Sequence, residues 1–311
     1  MSKKIIVTGG SGMVGQGFKD FDNIILTSSA DCDLTNQVRV ESLFRSLVKY
    51  HEIEGVIHLA AKVGGVKGNT DYVGDYFYDN IMMNTNVLHA CHKNNINNVI
   101  SLLSTCVYPE HADFPLTEDQ IHEGKPHKSN FGYAYSKRML DVHSRAYRQQ
   151  YNRNYITAIP NNLYGPNDMF DLENGHVIPS VIRKIWEAKQ TGIPPIFWGD
   201  GTPLREFTYS EDIAPILIFL LENYSSPHPI NIGNVNEYTI SSVVSKISKH
   251  LDYNGDVVWD DNYPSGIFRK PSSINKLVNL GWDINNYTPL NDGLKSTCEW
   301  FKKEYPNVRG V

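Results

Sequence analysis

The chain has 311 residues, of which 41% are hydrophobic and 20% are charged, so it is long enough for one large core or two smaller ones. Its formal net charge of −5 argues against nucleic acid or an anionic membrane surface as a partner. The four cysteines are scattered and form no CxxC pair, so the sequence predicts free thiols rather than a zinc knuckle or a disulfide framework.

The first residues do not resemble a secretory signal. Three apolar residues, Ile5 to Val7, follow two lysines and lead directly into glycines, which is too short for a hydrophobic signal region. The longest apolar segment, Ile213 to Leu221, is too short to span a bilayer. We therefore expect a cytoplasmic protein.

The first half of the chain alternates short apolar runs with longer helical patterns. The apolar runs predict strands at Ile5–Thr8, Ile24–Thr27, Gly55–Ala60, Val99–Ser104 and Ile156–Pro160. The helical patterns predict helices at Gly12–Phe21, Val38–His51, Asn80–Asn94 and Tyr133–Tyr151. Because the strands are apolar without alternation, both faces of the sheet should be covered, which favours an α/β fold with a doubly wound parallel sheet.

The composition changes after Pro160, where loops lengthen and Pro, Gly and Asn become frequent. We predict a first domain over residues 1–165, with segments returning to it at about 205–235, and a smaller mixed α/β lobe over residues 166–204 and 236–311. The later patterns predict helices at Val177–Thr191, Ser210–Asn223, Ile240–Leu251, Ser273–Leu280 and Leu290–Tyr305, and a strand at Pro229–Gly233.

A glycine-rich segment, Thr8 to Gly15, separates the first strand from the first helix. Its glycines would allow a tight turn and let a pyrophosphate approach backbone N–H groups at the start of the helix. An ordinary turn is the alternative, since glycine-rich turns are common between strands and helices. If a dinucleotide binds here, we expect Asp33-Leu34 to lie against its adenine and Ala60-Ala61 to lie beside its cleft.

The residues after the second strand bear on the choice of cofactor. A site for NAD usually places an acid there to accept from the ribose 2′-OH. In this chain Ser28 and Ser29 follow the strand, and no acid comes before Asp31. Hydroxyls and backbone amides can hold a 2′-phosphate, so the sequence favours NADP(H). The alternative is that both serines are ordinary turn residues.

Tyr133 and Lys137 lie four residues apart on a predicted helix and so share one face. At ~4 Å and an effective dielectric of ~20, the lysine charge is worth about 4 kcal/mol, which limits the fall in the tyrosine pKa to roughly three units. Such a phenol could protonate a substrate oxygen beside a hydride carrier, and Ser104 could bond the same oxygen. A surface lysine and a strand-end hydroxyl are the ordinary alternatives.

Gly9-x-x-Gly12-x-x-Gly15, Ser104 and Tyr133-x-x-x-Lys137 together resemble the extended short-chain dehydrogenase/reductase family. The resemblance runs from about Lys4 to about Phe301 and is closest to members that act on GDP-linked sugars. The stretches that carry it further are Ala60-Ala61-Lys62-Val63-Gly64-Gly65, Ser104-Thr105-Cys106-Val107-Tyr108-Pro109, Asn162-Leu163-Tyr164-Gly165-Pro166-Asn167-Asp168, His176-Val177-Ile178-Pro179 and Trp198-Gly199-Asp200-Gly201-Thr202-Pro203 with Arg205-Glu206-Phe207.

The resemblance implies a Rossmann domain, NADP(H) as cofactor, and 3,5-epimerisation and 4-reduction of GDP-4-keto-6-deoxy-D-mannose to GDP-L-fucose. Ser104, Tyr133 and Lys137 match the family's reductase triad. Cys106 matches its epimerisation base and His176 its epimerisation acid. Taken alone, such a cysteine is more often a small buried hydrophobe, and such a histidine a cap or core residue.

The expected binding residues are more numerous. Some family members have arginines in the glycine turn and after the second strand, at positions where this chain has Ser11 and Ser29. Arg183 and Lys184 form a basic pair that could help to hold phosphate. The expected cofactor contacts are Gly9, Gly10, Ser11, Gly12, Met13, Val14, Ser28, Ser29, Asp33, Leu34, Leu59, Ala60, Ala61, Lys137, Pro160, Asn162, Leu163 and His176. The expected substrate contacts are Ser104, Tyr133, Asn162, Val177, Lys184, Trp198, Arg205 and Lys270, and no metal ligand is expected.

The residue types suit this chemistry. A 4-keto sugar acidifies the hydrogens on carbons 3 and 5, so an epimerase needs a base on one face of the ring and an acid on the other. Nearby positive charge would lower the pKa of Cys106, and His176 would titrate near neutrality. Tyr133 would stabilise the enolate oxygen and then protonate it during hydride transfer.

Two other functions stay open at this point. One is a nucleotide-sugar 4-epimerase or dehydratase on the same scaffold, although Thr105-Cys106 stands where a dehydratase carries an acidic pair. The other is a non-catalytic NADP-binding regulator, although the chain keeps both Tyr133 and Lys137. The resemblance also implies a homodimer, in which Asn80–Asn94 and Tyr133–Tyr151 of each subunit form a four-helix bundle.

Overall fold

The computed structural model describes residues 3–262 and 268–311. Their strands are β1 (Lys4–Thr8), β2 (Ile24–Thr27), β3 (Ile53–His58), β4 (Asn98–Leu102), β5 (Asn154–Ile159), β6 (Asn162–Tyr164), β7 (Ile196–Trp198), β8 (Leu204–Tyr209), β9 (Ile230–Asn231), β10 (Glu237–Thr239) and β11 (Val258–Asp260). Their α-helices are α1 (Met13–Gln16), α2 (Gln37–Tyr50), α3 (Val66–Asp71), α4 (Val73–Lys93), α5 (Phe131–Tyr151), α6 (Val177–Thr191), α7 (Ile213–Asn223), α8 (Ile240–His250), α9 (Asn275–Asn279) and α10 (Leu290–Glu304).

The main sheet has six parallel strands in the order β2-β1-β3-β4-β5-β9. Successive residues of β1 enter different cores, because side chains of a strand alternate between the two faces. Ile6 packs into a core with residues of α2 and α4, whereas Ile5 and Val7 pack into a second core with residues of α7. The expected doubly wound parallel sheet, covered on both faces, is confirmed.

Two smaller sheets stand apart from the main one. β8 lies between β6, with which it is parallel, and β10, with which it is antiparallel. β7 and β11 form a parallel pair. These strands share a third core with α6, α8 and α10. Since β6 begins three residues after β5 ends, the chain passes from the main sheet to the second sheet at residues 160–161.

Several predicted boundaries differ from the structure. The helix expected at Gly12–Phe21 is wrong in length, because α1 ends at Gln16 and turns follow it. The helix expected from Asn80 begins at Val73, and a separate helix, α3, precedes it. β8, within the segment expected to return to the first domain, pairs in the second sheet, whereas β9 joins the main sheet. No described helix has the length and apolar character needed to cross a bilayer.

Candidate active site

One large cavity opens at the carboxyl ends of the main-sheet strands, the edge where parallel sheets hold their ligands. Its volume is about 1160 Å³. The expected site residues that line it are Gly9, Ser11, Gly12, Met13, Val14, Ser28, Ser29, Asp33, Leu34, Leu59, Ala60, Ala61, Ser104, Tyr133, Lys137, Pro160, Asn162, Leu163 and His176. Those outside its lining are Gly10, Cys106, Val177, Lys184, Trp198, Arg205 and Lys270.

The glycine turn, residues 8–15, forms one wall of the cavity and needs its glycines for close packing. Gly9 has φ +77°, and a Cβ on it would lie 2.8 Å from the backbone nitrogen of Ala60. A Cβ on Gly15 would lie 2.3 Å from the carbonyl oxygen of Gly9. Gly10 lies behind this wall, packed against Leu26. The wall is therefore largely backbone, which suits the close approach of a dinucleotide diphosphate.

The end of the cavity beyond β2 differs from the expected phosphate site. Asp31 folds back onto Ser28, and its Oδ2 accepts from the Ser28 backbone N–H and hydroxyl, both at 2.8 Å. These bonds lower the pKa of Asp31. The Ser28 hydroxyl therefore already donates its hydrogen bond to Asp31. Of the two serines at this wall, Ser29 is the one whose hydroxyl does not bond to Asp31.

Tyr133, Lys137 and Ser104 meet at another wall. Tyr133 lies in the first turn of α5 and is 8% exposed. One turn later, Lys137 Nζ donates to the carbonyl oxygen of Leu102 at 2.8 Å and lies 5.9 Å from the centroid of the Tyr133 ring. Ser104 follows β4 and lines the cavity with them. The arrangement brings the three side chains of the expected triad to one cavity.

Burial decides the protonation of this pair. It raises the pKa of Tyr133 well above its ordinary value, and Cys106 and Tyr76 raise it further. It also lowers the pKa of Lys137 to about 8. Our expectation that Lys137 lowers the tyrosine pKa is wrong for this arrangement, because desolvation of the phenolate outweighs the lysine charge. The phenol is therefore neutral at pH 7, which is the form that a proton donor needs.

A buried polar network, which the sequence reasoning missed, supports the helix of the triad. His58 lies with Nδ1 2.7 Å from Thr8 Oγ1 and Nε2 3.1 Å from Asn84 Oδ1. Asn84 Nδ2 donates to the carbonyl oxygen of Ser136 at 3.3 Å. Burial, helped by the charge of Lys137, lowers the pKa of His58 to about 3, so its ring is neutral. The sequence signal that could have revealed this network is Asn84, a polar residue on the buried face of α4.

Cys106 lies in the short turn after Ser104, beside the triad. Ser104 Oγ accepts from the Cys106 backbone N–H at 3.5 Å. Burial raises the pKa of the thiol, and the charges of Lys270, Lys137 and Arg138 oppose that rise only in part. The expected lowering of the cysteine pKa is therefore wrong, because desolvation of the thiolate is the larger effect.

The pH profile of Cys106 alkylation should reveal this raised pKa. We expect its rate with iodoacetamide to keep rising above pH ~8.5, the pKa of an ordinary thiol, because the thiolate is the reactive form. Lys270→Met should move the profile further upward, since Lys270 is the cation that most opposes the effect of burial. Peptide mass spectrometry would separate Cys106 from the other cysteines.

The matched control for this experiment is Lys249→Met, which removes an exposed lysine of α8. It should leave the alkylation profile unchanged. A wild-type profile centred at or below the ordinary thiol value would contradict the raised pKa of Cys106. If Lys270→Met left the pH dependence of Cys106 alkylation unchanged, the influence of Lys270 on the thiol pKa would be contradicted.

His176 reaches the cavity from the loop before α6. It occupies the N-cap position, but its side chain makes no capping hydrogen bond and lines the cavity. The ring is open to the cavity, yet the protein around it lowers its pKa, so the imidazole is neutral at pH 7. The pKa of His176 is therefore lower than the near-neutral value that we expected. An anion bound beside the ring would raise the pKa again.

Lys270 lies beside Cys106 and has a second cation, Arg205, as its neighbour. Lys270 Nζ donates to the carbonyl oxygen of Thr105 at 3.3 Å. The charge of Arg205, on β8, is one of the causes that lower the pKa of Lys270, after burial. Burial also lowers the pKa of Arg205. Two desolvated cations next to the triad can neutralise an anionic group of a ligand.

Glu206 holds this part of the site together, and the sequence reasoning missed its role. Its carboxylate accepts from the backbone N–H of Ser272 at 2.8 Å and from the Ser272 hydroxyl. It also accepts from Asn161 Nδ2 at 3.3 Å, while Asn162 Nδ2 donates to the Glu206 carbonyl oxygen at 2.8 Å. Because Ser272 is held, the position of Lys270 two residues earlier is restricted.

The basic pair of α6 divides between two tasks. Lys184 Nζ donates to the carbonyl oxygen of Ile196 at 2.9 Å and lies over the Phe197 ring, near the exposed Trp198 of β7. Arg183 is bonded instead to Glu187 and to carbonyl oxygens of the loop before α6 and the segment after α10. Arg183 therefore stabilises the fold rather than a phosphate. Val177 is exposed at the first position of α6.

No group of three or more His, Cys, Asp and Glu side chains within residues 3–262 and 268–311 is arranged to hold a metal ion. The cavity instead combines a backbone cradle for a dinucleotide with a neutral phenol and an imidazole, and the thiol of Cys106 lies beside the phenol. Such a set can protonate a carbonyl oxygen next to a hydride carrier and can move protons at neighbouring carbons.

Comparison with known proteins agrees with this arrangement. A protein from Dictyostelium discoideum named GDP-L-fucose synthase is 38% identical, covering 99% of this chain and 98% of its own length. A protein from Yersinia pseudotuberculosis named GDP-L-colitose synthase is 37% identical, covering 98% of this chain and 99% of its own length.

Solved structures and family models extend the comparison. The crystal structure of a GDP-L-fucose synthetase from Naegleria fowleri bound to NADP is 35% identical, with a TM-score of 0.90 over 99% of this chain and 95% of that one. Residues 5–233 match the model of the NAD dependent epimerase/dehydratase family. With most of its length matched in this way, the chain belongs to the NAD dependent epimerase/dehydratase family.

Proposed function

We propose that this chain is an NADPH-dependent enzyme that converts GDP-4-keto-6-deoxy-D-mannose to GDP-L-fucose by 3,5-epimerisation and 4-reduction. Relatives that span nearly the whole chain carry the name GDP-L-fucose synthase, and a similar solved structure is bound to NADP. The observation that carries the proposal is the meeting of the glycine turn, Tyr133, Lys137 and His176 at one cavity, with Cys106 beside the tyrosine.

The chain's own residues fit NADP(H). The open backbone at Gly9 and Gly15 offers a cradle that a Cβ would fill. Lys137 lies where it can bond the nicotinamide ribose, and Ser29 lies at the adenosine end of the cavity. When bound, the cofactor supplies a hydride. Tyr133, neutral at pH 7, donates a proton to the carbonyl oxygen at carbon 4, and Ser104 donates a second hydrogen bond to that oxygen.

Epimerisation uses the same carbonyl group. Tyr133 and Ser104 stabilise the enolate oxygen while Cys106 removes the hydrogen from carbon 3 or carbon 5 and His176 returns a proton to the other face. In the structure, burial keeps Cys106 in its thiol form, and the protein around the ring of His176 keeps the imidazole neutral. A diphosphate group bound beside the ring of His176 raises the pKa of the imidazole, which lets His176 act as the acid.

The nucleotide part of the substrate binds to the second lobe. Residues 1–165, with the returning strand β9, hold most of the cofactor, and residues 166–204 and 236–311, together with β8, hold the nucleotide-sugar. Lys270, which lies beside Cys106, and its neighbour Arg205 bind the diphosphate of that nucleotide-sugar. Trp198, whose side chain is exposed, stacks on the base, while Lys184 and Val177 complete this surface.

A second candidate substrate is a precursor of GDP-L-colitose, because a relative of almost the same identity is named GDP-L-colitose synthase. L-Colitose has no hydroxyl on carbon 3, so its formation needs inversion at carbon 5 only. The two candidates therefore differ in whether carbon 3 is inverted.

Product analysis tests the proposal. The purified protein is incubated with NADPH and, in parallel, with GDP- or UDP-linked 4-keto-6-deoxyhexose or the GDP-linked 4-keto-3,6-dideoxyhexose, and the products are identified by NMR. We expect GDP-L-fucose with equimolar loss of NADPH. Faster turnover of the dideoxy sugar would support the second candidate. NAD-linked epimer exchange, or cofactor binding without turnover, would contradict the proposal.

We also propose a homodimer built from α4 and α5. Phe131, Tyr135, Met139 and Val142 form an exposed apolar stripe on α5, and α4 adds the exposed Phe77 and Tyr78. Exposed apolar stripes of this kind mark interfaces. Replacing both Met139 and Val142 by Glu should convert the dimer to a monomer, because two charges per subunit would be buried at the contact. Light scattering during gel filtration measures the mass.

The control for this experiment is Val38→Glu, at an apolar and more exposed site on α2. It should leave the mass at that of the dimer. A wild-type protein that elutes as a monomer at micromolar concentration, or a doubly charged variant that stays dimeric, would contradict the assignment of the interface.

A further inference from the structure

Two ionisable side chains of the cavity wall have no part in the chemistry described so far. Asp168 follows β6 and is 6% exposed. Its Oδ1 accepts from the backbone N–H of Met169 at 2.7 Å, but its buried Oδ2 has no hydrogen-bond partner among the described residues. Arg309 lines the same cavity, and its charge acts on Asp168. No hydrogen bond or ion pair joins the Arg309 guanidinium to another described residue.

The backbone beneath Arg309 is held in place. The Phe170 N–H donates to the carbonyl oxygen of Arg309 at 2.8 Å, and Arg183 donates to the carbonyl oxygen of Gly310. Val308, just before Arg309, is buried in the third core. The segment that carries Arg309 is thus tied to the loop that carries Asp168, while the guanidinium keeps its donors for a ligand.

Neighbouring contacts put this wall beside the glycine turn. Gly165, three residues before Asp168, packs against the hydroxyl of Ser210. The turn that Ser210 begins packs against α1, and Gly17 at the end of α1 packs against Glu211. The loop with Asp168 and the glycine turn are therefore both next to the turn at Ser210, on one side of the cavity.

The charges of the cavity indicate what Arg309 meets. Among its described lining residues, the acids are Asp33, Asp168 and Asp171, and the lysines and arginines are Lys137 and Arg309. Lys137 is engaged with a carbonyl oxygen at the triad. A dinucleotide brings two further negative charges in its diphosphate. Arg309 is the cation left to neutralise them, and a guanidinium fork matches phosphate oxygens.

We propose that Arg309 binds the diphosphate of the dinucleotide beside the glycine turn, and that Asp168, through its unpartnered Oδ2, positions the guanidinium. This inference rests on the proposed use of NADP(H). Arg309 is a binding residue for the cofactor, and Asp168 is a positioning residue that acts through it.

Cofactor titration without turnover tests the proposal. Dissociation constants for NADPH and NADH are measured by fluorescence on the full-length protein, together with the binding of GDP. Arg309→Met should weaken the binding of both NADPH and NADH about 10- to 100-fold, because one charged hydrogen-bonding partner of the diphosphate is lost. Arg309→Lys should restore part of the affinity. Binding of GDP should stay unchanged.

Asp168→Asn should weaken both cofactors less than Arg309→Met does, and it should have no further effect in the Arg309→Met background. The control is Lys303→Met, an exposed lysine of α10, which should bind as the wild type. Circular dichroism and thermal melting without cofactor check that each variant is folded. A purely structural role of Asp168 would weaken binding in both backgrounds.

Three results would overturn the proposal. Equal affinities of Arg309→Met and the wild type would remove Arg309 from the site. A loss restricted to NADPH would place Arg309 at the 2′-phosphate instead of the diphosphate. A loss of GDP binding with unchanged cofactor binding would place it at the substrate. A wild-type protein that binds neither dinucleotide would instead contradict the proposed function itself.

Discussion

Replacement of Tyr133 by phenylalanine should slow reduction of the 4-keto sugar by about 10²- to 10⁴-fold, the usual contribution of a positioned acid. The phenol is nearly fully buried and its pKa is raised, so it is protonated at neutral pH and available as the donor. The phenylalanine ring keeps the packing but removes the proton and the hydrogen bond to the carbonyl oxygen. Oxidation of NADPH in single turnovers, followed at 340 nm, measures the effect.

The variant should bind NADPH as tightly as the wild type, which separates loss of chemistry from loss of the site. Tyr50→Phe, at an exposed position of α2, is the matched control and should reduce the sugar at the wild-type rate. If Tyr133→Phe consumed NADPH within a few-fold of the wild-type rate, another group would have to supply the proton and the proposed role would be wrong.

Cys106→Ala and His176→Ala should each block formation of the epimerised product even when NADPH is supplied at a saturating concentration. Loss of a general acid or base costs about 10²- to 10⁴-fold in rate. The two variants should differ in D₂O. Without Cys106, exchange of the hydrogens on carbons 3 and 5 should stop. Without His176, the thiolate can still remove and return a proton on its own face, so exchange should continue without inversion. NMR of the recovered sugar measures both.

Cys298→Ala and His89→Ala are matched controls, since neither residue lines the cavity. Both should give product at the wild-type rate. If exchange at carbons 3 and 5 persisted unchanged in Cys106→Ala, the base would lie elsewhere. If His176→Ala produced the inverted sugar at the wild-type rate, the imidazole would not be the acid.

Short-range patterns were enough to locate much of the site. Tyr133 and Lys137 share one face because they lie one turn apart on a helix. The segment from Gly9 to Gly15 leads from a strand into a helix, as its glycines indicate. Such features depend on neighbours within a few residues, so their spacing is visible without the fold. The shortening of α1 is the exception, since turns replace the expected helix after Gln16.

Protonation could not be predicted in the same way. The sequence indicated that Lys137 lies near Tyr133, and we expected positive charge near Cys106, so that charge alone would lower both pKa values. Burial reverses both directions, because desolvation of an anion in this site outweighs the attraction of nearby cations. The extent of burial depends on how whole elements pack, which no local pattern reports.

The order of strands and helices, the glycine turn and the spacing of the triad follow from the amino-acid sequence, because backbone preferences and helical periodicity act over a few residues. The polar networks of His58 with Asn84 and of Glu206 with Ser272 depend on the folded chain, as does the placing of Arg309 near Asp168. Their members lie 26, 66 and more than a hundred residues apart, so only the packing of distant segments brings these side chains within reach of one another.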